Sequence, residues 1–171
     1  MERLHLRKPG CLQKDLSSVL EMIPEEYHSR IVLHDHFELA HTFSIGGIHL
    51  NSRNPNPLDG FTGSISRSCH NLKEVSSSKT DCHYVFLSPI FPSISKEGYG
   101  EGFPERELLH ATEQGIIDQQ VIALGGMDVS TIRQLEHIPF GGVAVLGALW
   151  GKIPSSSKNI IHQYKILRSC L

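Results

Sequence analysis

The chain has 171 residues, of which 39% are hydrophobic and 20% charged, and its formal net charge at pH 7 is -2. This composition is typical of a globular protein, and the length predicts one domain with a sizeable core. Balanced charge without runs of lysine or arginine argues against a nucleic-acid partner or a basic membrane-binding face, so small molecules are the expected partners. The four cysteines form no C-x-x-C pair, which excludes an obvious zinc knuckle or disulfide framework. No apolar run reaches the ~18 residues of a membrane span, so we expect a cytoplasmic protein.

The N-terminal half of the chain alternates short apolar strands with helices. An amphipathic helix is predicted between the first two strands, because Leu16, Leu20 and Ile23 share one helical face. A second helix follows Asp35 and Glu38, which have the D-x-x-E spacing of a capping box. Strands are predicted over Leu4–Arg7, Arg30–His34, Gly47–Leu50 and Ser64–Arg67.

The segment from Tyr84 to Lys96 changes character halfway along. Tyr84–Leu87 is an apolar, aromatic and β-branched run that is typical of a strand buried on both faces. The hydroxyl groups of Ser93 and Ser95 and the ammonium group of Lys96 follow it. These groups suit a flap that closes over an anion, although an ordinary polar surface loop has the same composition.

Proline, glycine and capping residues delimit the elements of the C-terminal half. A helix is predicted to begin at Pro104, to bury Leu108 and Leu109, and to end at Gly115. Asp128 is predicted to cap the next helix, and Ser155–Ser157 the last one. The last two strands are predicted over Gln120–Leu124 and Gly142–Leu146, and the apolar face of the last helix comprises Ile160, Ile161, Tyr164 and Leu167.

Seven strands therefore alternate with helices or with connections long enough to hold one. No two strands are joined by a two-residue hairpin turn, so the strands are predicted to be parallel. This pattern indicates an α/β fold, either a (β/α) barrel or an open doubly wound sheet. A barrel is favoured because polar or glycine residues follow nearly every strand, and in a barrel those strand ends converge on one mouth.

Two glycine-containing pairs follow the last two strands. Gly125–Gly126 and Gly147–Ala148 occupy the positions where (β/α) barrels commonly bind phosphate, since small residues let backbone N–H groups approach the anion. Plain turns at the start of a helix have the same composition. The sequence therefore leaves open whether these pairs bind phosphate or only begin helices.

The chain contains eleven histidines, which is more than its length leads one to expect. Three of them, His34, His36 and His49, lie near the predicted mouth of the barrel. They could contact a substrate there, or they could be spectators at the strand ends. None of the three is assigned a catalytic role.

Six segments, in their order and spacing, resemble the superfamily of thiamine phosphate synthases and TenI-like thiazole tautomerases. The resemblance runs through the entire chain. It implies a (β/α)8 TIM barrel that acts in thiamine biosynthesis on phosphorylated small molecules, and it leaves a homo-oligomer open. The segments are LHLRKPG at 4–10, GIHLN at 47–51, SRSCH at 66–70, YVFLSPIFPSISK at 84–96, ALGGM at 123–127 and GGVAVLGALW at 141–150.

The resemblance also implies that the seven predicted strands correspond to the family's second to eighth. Residues 1–171 then form a single barrel domain that lacks the first βα unit. We therefore expect the natural chain to be longer by ~30–40 residues, the size of one βα unit. A barrel without one strand would leave two unpaired sheet edges, which are an aggregation hazard.

The resemblance implies which residues meet the diphosphate of the pyrimidine substrate. Arg7 resembles the arginine that contacts this group. Lys96, together with Ser93 and Ser95, resembles the family's Thr-x-Thr-Lys clamp on the same diphosphate. Pro9 stands where the synthase usually has a second diphosphate-binding lysine.

Other positions match the family's thiazole phosphate site and its proton-transfer residue. Ser68 matches a serine that contacts phosphate. His70 matches the histidine that tautomerases use as a proton shuttle, but many synthases also have a histidine there. Gly126 and Gly147, with Gly125 and Ala148 beside them, match the thiazole phosphate site, where the family more often has serine in place of Gly147.

The synthases of this family hold Mg²⁺ between two aspartates, and the ion neutralises the departing diphosphate. Asp35 matches the first aspartate, although capping a helix is an alternative role for it. Asn54 stands at the second position, next to Arg53. Because an amide removes half of the ligand charge, Mg²⁺ binding is expected to be weak.

The missing carboxylate favours a thiazole tautomerase-like enzyme, in which His70 moves a proton and no cofactor is required. The alternative is a thiamine phosphate synthase, which joins hydroxymethylpyrimidine diphosphate to thiazole phosphate with Mg²⁺ and releases diphosphate while Arg7 and Lys96 stabilise it. A third hypothesis is a regulator that binds a phosphorylated ligand without catalysis. An assay of diphosphate release distinguishes the second hypothesis from the other two.

Overall fold

The structure, a computed structural model, describes residues 2–92, 102–151 and 156–170. These residues form two compact units. The first unit runs up to Ser68 and includes Asp81–His83, and the second comprises Cys69–Thr80 and the chain from Tyr84 onward. Both units combine parallel strands with helices, as predicted for an α/β fold.

The first unit contains parallel strands that pair in sequence order. Leu33 of the second strand lies opposite Ile48 of the third, and Leu50 of the third lies opposite Arg67 of the fourth. The strands are β1 (Leu4–Leu6), β2 (Ile31–Leu33), β3 (Gly47–Leu50) and β4 (Ser64–Cys69). The helices are α1 (Gln13–Glu21), α2 (Leu39–Thr42) and a 3-10 helix (Glu25–Arg30).

Side-chain alternation gives β1–β3 two different faces. One face is apolar: Leu33 and Ile48 are fully buried against Leu16 and Leu20 of α1. The opposite face carries the histidines and Gly47, with Val32 beside them, because successive residues of a strand point to opposite sides. A Cβ atom on Gly47 of this face would come within 2.5 Å of the Ser64 hydroxyl oxygen. The polar face is therefore packed too closely to admit a larger residue at this position.

The predicted capping box at Asp35 and Glu38 is wrong. Helix α2 begins only at Leu39, and Glu38 before it has helical dihedral angles and no side-chain capping bond. Both carboxylate oxygens of Asp35 instead accept hydrogen bonds from Arg53. Asp35 thus bonds Arg53, which is 18 residues away in the sequence, instead of the N-terminus of the helix that follows it.

The second unit alternates its strands and helices as predicted. Its strands pair in parallel, with Leu87 opposite Ala123 and Ile122 opposite Gly142. The strands are β5 (Tyr84–Leu87), β6 (Val121–Leu124) and β7 (Gly142–Ala144). The helices are α3 (Leu72–Ser78), α4 (Glu105–Glu113), α5 (Val129–Gln134), α6 (Gly147–Trp150) and α7 (Ser157–Arg168).

The predicted helix ends of the second unit are confirmed. Asp128 accepts hydrogen bonds from the backbone N–H groups of Ser130 and Thr131, and Ser156 caps α7. Gly115 follows α4 with a φ of 69°, a left-handed conformation that glycine adopts without steric cost.

Two predicted core positions of the second unit are wrong. Leu109 is 40% exposed and Ile161 is 53% exposed. Helix α4 buries Leu108 and Ala111 instead, which are three residues apart and share a face. Helix α7 packs Ile160 and Tyr164 against Leu167 and leaves Ile161 exposed, because Ile161 lies about 100° around the helix from Ile160. Among the described residues, no helix has the length and apolar character to cross a membrane.

Candidate active site

Three histidines lie on the polar face of the first unit. His5 is the central residue of β1, His34 directly follows β2, and His49 lies within β3. The pairing of Leu33 with Ile48 places the next residues, His34 and His49, side by side on neighbouring strands. We refer to these three residues as the histidine cluster.

The rings of the histidine cluster are in direct contact. His5 Nδ1 and His34 Nε2 are 3.0 Å apart, and the rings of His34 and His49 are stacked with centroids 4.2 Å apart. Two serines of β4 hold the third ring: His49 Nδ1 is 2.9 Å from the Ser66 hydroxyl oxygen and His49 Nε2 is 3.0 Å from that of Ser68. The ring positions are thus set by hydrogen bonds at the two ends of the row, His5–His34 and His49 with the serines, and by stacking of His34 on His49 between them.

Burial keeps the histidine cluster uncharged. Desolvation, with a smaller contribution from the neighbouring His34, lowers the pKa of His5 to about 3. Desolvation likewise lowers the pKa of His49 to about 2. For His34, desolvation and the charge of Arg7 lower the pKa to about 4, although Asp35 acts in the opposite direction. All three rings are therefore neutral imidazoles near pH 7.

Asp35 is enclosed by the loop that follows β3. Its Oδ1 and Oδ2 atoms accept hydrogen bonds of 2.9 and 3.0 Å from Arg53 Nη2, and Oδ1 also accepts one of 3.0 Å from Arg53 Nε. The side-chain amide of Asn54 donates to the same Oδ1 atom at 3.0 Å. The carboxylate side chain is only 15% exposed. One carboxylate is thus matched by one guanidinium and one amide.

This arrangement does not fit a magnesium site made from two carboxylates. The position of the second carboxylate is Asn54, whose amide nitrogen points at Asp35. Arg53 donates hydrogen bonds to both oxygens of Asp35. A metal ion would therefore have to compete with this cation for the same lone pairs. Weak Mg²⁺ binding remains a prediction, and the contacts of Asp35 give a physical reason for it.

The other predicted site residues of the first unit are Arg7 and Ser68. Arg7 directly follows β1 and is exposed, so its guanidinium is accessible to an anionic ligand. Ser68 is partly buried in β4, and its hydroxyl group contacts His49. The structure thus brings Ser68 together with the histidine cluster.

His70 belongs to the second unit and is exposed. Its Nδ1 lies 2.9 Å from the carbonyl oxygen of Ser88, and because a carbonyl only accepts, Nδ1 carries the proton. Its backbone N–H donates to the Glu74 carboxylate at 2.7 Å. In the neutral ring, Nε2 is therefore left as a proton acceptor on an exposed side chain.

Gly125 and Gly126 allow the segment after β5 to approach β6. Both have positive φ values, 97° and 66°. A Cβ atom would lie 2.8 Å from Pro89 Cα at Gly125 and 2.6 Å from Phe91 Cβ at Gly126. Close backbone packing thus explains both glycines, whether or not they also bind phosphate.

Gly147 and Ala148 begin the short helix α6. A Cβ atom on Gly147 would meet no atom of the described residues within 4 Å. The side chain that the family more often has there would therefore fit. Ser93, Ser95 and Lys96, the predicted anion clamp, lie outside the described residues.

Sequence reasoning identified only part of the histidine cluster. His34 and His49 were considered as mouth residues together with His36, but the His36 ring bonds the carbonyl oxygen of Cys11 instead. His5 was missed. One feature of the sequence could have indicated the cluster: His5 and His49 lie inside predicted strands, and His34 lies at the end of one. Their convergence depends on strand register, which the sequence pattern does not specify.

The family model described as thiamine monophosphate synthase matches residues 10–149. The crystal structure of a thiamine phosphate pyrophosphorylase from Bacteroides thetaiotaomicron superimposes with a TM-score of 0.88 and 38% identity, covering 99% of this chain and 83% of that one. A thiamine phosphate pyrophosphorylase from Pyrococcus furiosus has the same fold, with a TM-score of 0.73 and 16% identity over 99% of this chain and 84% of that one.

A curated relative gives a consistent result. The thiamine-phosphate synthase of Proteus mirabilis is 26% identical over 153 residues, which are 86% of this chain and 70% of the relative. Together with the superimposed structures, this similarity confirms the predicted α/β barrel class.

Proposed function

This chain belongs to the thiamine monophosphate synthase family, and from that premise we propose that it is a thiamine-phosphate synthase. It would join hydroxymethylpyrimidine diphosphate to thiazole phosphate and release diphosphate. The observation that carries the proposal is the 38% identity, across 99% of the chain, to a thiamine phosphate pyrophosphorylase. The sequence alone favours a tautomerase, because Asn54 replaces the second carboxylate. The proposal reverses that preference.

The proposed reaction makes one bond and breaks one. The ring nitrogen of thiazole phosphate attacks the methylene carbon of the pyrimidine, and the bond from that carbon to the diphosphate oxygen breaks. The electron pair leaves with diphosphate, so the protein must stabilise negative charge on the leaving group. Arg7 is the described residue that suits this role, since it is exposed at the end of β1. Lys96, with Ser93 and Ser95, is the proposed second contact.

No step of this proposal is assigned to a protein-bound Mg²⁺ ion, because Asp35 is paired with Arg53 and Asn54 contributes no charge. The stabilisation of diphosphate is assigned to fixed cationic side chains instead. The thiazole phosphate would lie at Gly126 and Gly147. Ser68 of the first unit is proposed separately as a residue that contacts phosphate. We also propose a cytoplasmic location, which is consistent with four cysteines that form no disulfide.

The direct test is to incubate the protein with both substrates and to measure thiamine phosphate and diphosphate. We expect the two products in equal amounts, and we expect Arg7→Gln to lower the rate much more than Arg106→Gln, a change at an exposed residue of α4. Release of diphosphate without thiamine phosphate would indicate hydrolysis and contradict the proposal. The absence of both products would contradict it as well.

A second candidate function is thiazole tautomerase, which the geometry of His70 favours. The Ser88 carbonyl fixes its tautomer, and its Nε2 can accept a proton from a bound ring. The test supplies one isomer of thiazole phosphate without the pyrimidine substrate and follows isomerisation. Turnover in this assay, without condensation in the first one, would favour this candidate over the synthase.

A further inference from the structure

The histidine cluster has the composition and spacing of a metal site. One ring nitrogen of each of His5, His34 and His49 lies within 4.8 Å of the other two. Imidazole nitrogens bound to one tetrahedral Zn²⁺ ion, at ~2.0–2.1 Å from it, lie ~3.3–3.4 Å from one another. His5 Nδ1 and His34 Nε2 are 3.0 Å apart, so this pair is already close to the spacing required. The His34 and His49 rings are stacked, so they must turn toward a shared ion for all three nitrogens to reach that distance.

The protein around the cluster supports the rings in the way that metal sites require. A ligating histidine commonly uses its second nitrogen to contact an outer partner that fixes the ring. His49 has such partners on both nitrogens, the hydroxyl groups of Ser66 and Ser68. An ion at Nε2 would replace the contact with Ser68, and the contact with Ser66 would still orient the ring.

We propose that His5, His34 and His49 bind one divalent transition metal ion, and that this ion is Zn²⁺. Three neutral imidazoles favour Zn²⁺ over Mg²⁺, which prefers oxygen ligands. Three protein ligands leave a fourth tetrahedral position for water or for a donor atom of a ligand, as in catalytic zinc sites. The site is distinct from the Asp35–Arg53 pair.

Access and protonation agree with metal binding. His34 and His49 are buried, whereas His5 and Ser68 are partly exposed, so an ion can approach from their side. Metal ligands must be deprotonated, and the three rings are neutral near pH 7. Binding therefore releases no net proton at that pH, but one ring of the His5–His34 pair must move its proton to its other nitrogen, because one of the two bonded nitrogens carries it.

The test titrates the chelator-treated full chain with Co²⁺ and then with Zn²⁺. We expect one equivalent of Co²⁺ to give the intense visible absorption of tetrahedral coordination and one equivalent of Zn²⁺ to remove it. His34→Gln and His5→Asn place an amide near the lost nitrogen and preserve hydrogen bonding. Each should weaken Zn²⁺ binding by more than the ~10–100-fold that loss of an outer partner costs. His162→Ala, at an exposed residue of α7, should bind as the unchanged chain does.

Three results would overturn the proposal. The first is no tetrahedral Co²⁺ spectrum, which would mean that the three rings contact one another without binding a metal ion. The second is Zn²⁺ affinity unchanged in both cluster variants, which would assign the metal to surface histidines. The third result needs no variant, so it applies even if the variants do not fold. It is an X-ray absorption spectrum of the zinc-loaded unchanged chain that shows fewer than three imidazole ligands. Because these readouts need no substrate, failure of the proposed condensation would not affect them.

Discussion

At the scale of single residues, Asp35 is held by partners other than a second carboxylate. Its carboxylate forms a two-pronged ion pair with Arg53 and accepts a further bond from Asn54. A carboxylate held in this way is a poor ligand for Mg²⁺, because the ion would have to displace the guanidinium. The predicted metal role of Asp35 remains a prediction, and the geometry makes it testable.

The double variant Arg53→Gln/Asn54→Asp should acquire a Mg²⁺ site. It removes the competing cation and restores a second carboxylate next to Asp35. Titration calorimetry of the protein without substrate should detect Mg²⁺ binding in the double variant and none in the unchanged chain. Arg133→Gln, which alters an exposed arginine of α5, serves as the control. Tight Mg²⁺ binding by the unchanged chain would show that Arg53 does not block the site.

A second residue-scale prediction concerns His70. In His70→Asn the side-chain amide can still donate to the Ser88 carbonyl, but the proton acceptor Nε2 is lost. If His70 transfers a proton, isomerisation of thiazole phosphate should fall ~10²–10⁴-fold while stability stays unchanged. His110→Asn, on the exposed face of α4, should have no effect. Equal turnover in both variants would exclude His70 from the reaction.

At the scale of elements, local signals predicted the helix ends well, and contacts distant in sequence explain the exceptions. Asp128 caps α5 as expected, because its partners Ser130 and Thr131 are neighbours in sequence. Asp35 has a comparable sequence context but bonds Arg53 across a loop. Capping patterns therefore fail where a distant charge competes for the same carboxylate.

Asp128→Ala should destabilise the protein by about 1 kcal/mol, the usual cost of losing an N-cap. Hydrogen bonds from Thr131 and Ser130 lower the pKa of Asp128 below its ordinary value. Its contribution is therefore present above the unfolded-state pKa of about 4 and is lost as pH falls through the lower folded-state value. Urea denaturation from pH 7 to pH 2 should show the difference between Asp128→Ala and the unchanged chain shrinking in acid. A constant difference would contradict this account of the cap.

Lys79, the residue after α3, links that helix to the segment before β6. Its ammonium group bonds the Asp118 carboxylate and the carbonyl oxygens of Gly115 and Ile116, and its side chain is only 16% exposed. The Lys79 carbonyl oxygen in turn accepts a bond of 2.8 Å from the Gln120 side chain.

Lys79→Met should cost about 1–3 kcal/mol of unfolding free energy, because it keeps the apolar stem but leaves carbonyl oxygens without this donor. Chemical denaturation measures the change. Lys165→Met, on the exposed side of α7, should change stability by no more than about 0.5 kcal/mol. Equal effects of the two substitutions would mean that the Lys79 contacts contribute little.

At the scale of the whole molecule, the strand order and the parallel arrangement were predictable from the sequence. Runs such as Ile31–Leu33 and Val121–Leu124 are apolar, and every connection is too long for a hairpin turn. The histidine cluster was not predictable, because it depends on the register that sets His34 beside His49. A register shift of one residue would turn these side chains to the opposite face.

Inorganic diphosphate should raise the thermal midpoint of the whole protein. A ligand that binds only the native state at 100 times its Kd stabilises by about 2.7 kcal/mol, which corresponds to a shift of about 5–10 °C for a chain of this size. Differential scanning fluorimetry measures it. Arg7→Gln should reduce the shift and Arg106→Gln should not. No shift at millimolar diphosphate would argue against a diphosphate site.

The Asp35–Arg53 pair also has a consequence for the order in which mutations can accumulate. A lineage that loses Arg53 first passes through a form in which a largely buried carboxylate has no opposite charge beside it. A lineage that converts Asn54 to aspartate first only places a second carboxylate beside Arg53, whose guanidinium can pair with both carboxylates. The second route avoids the costly intermediate, so a change from the guanidinium-paired to a magnesium-binding arrangement should begin at position 54.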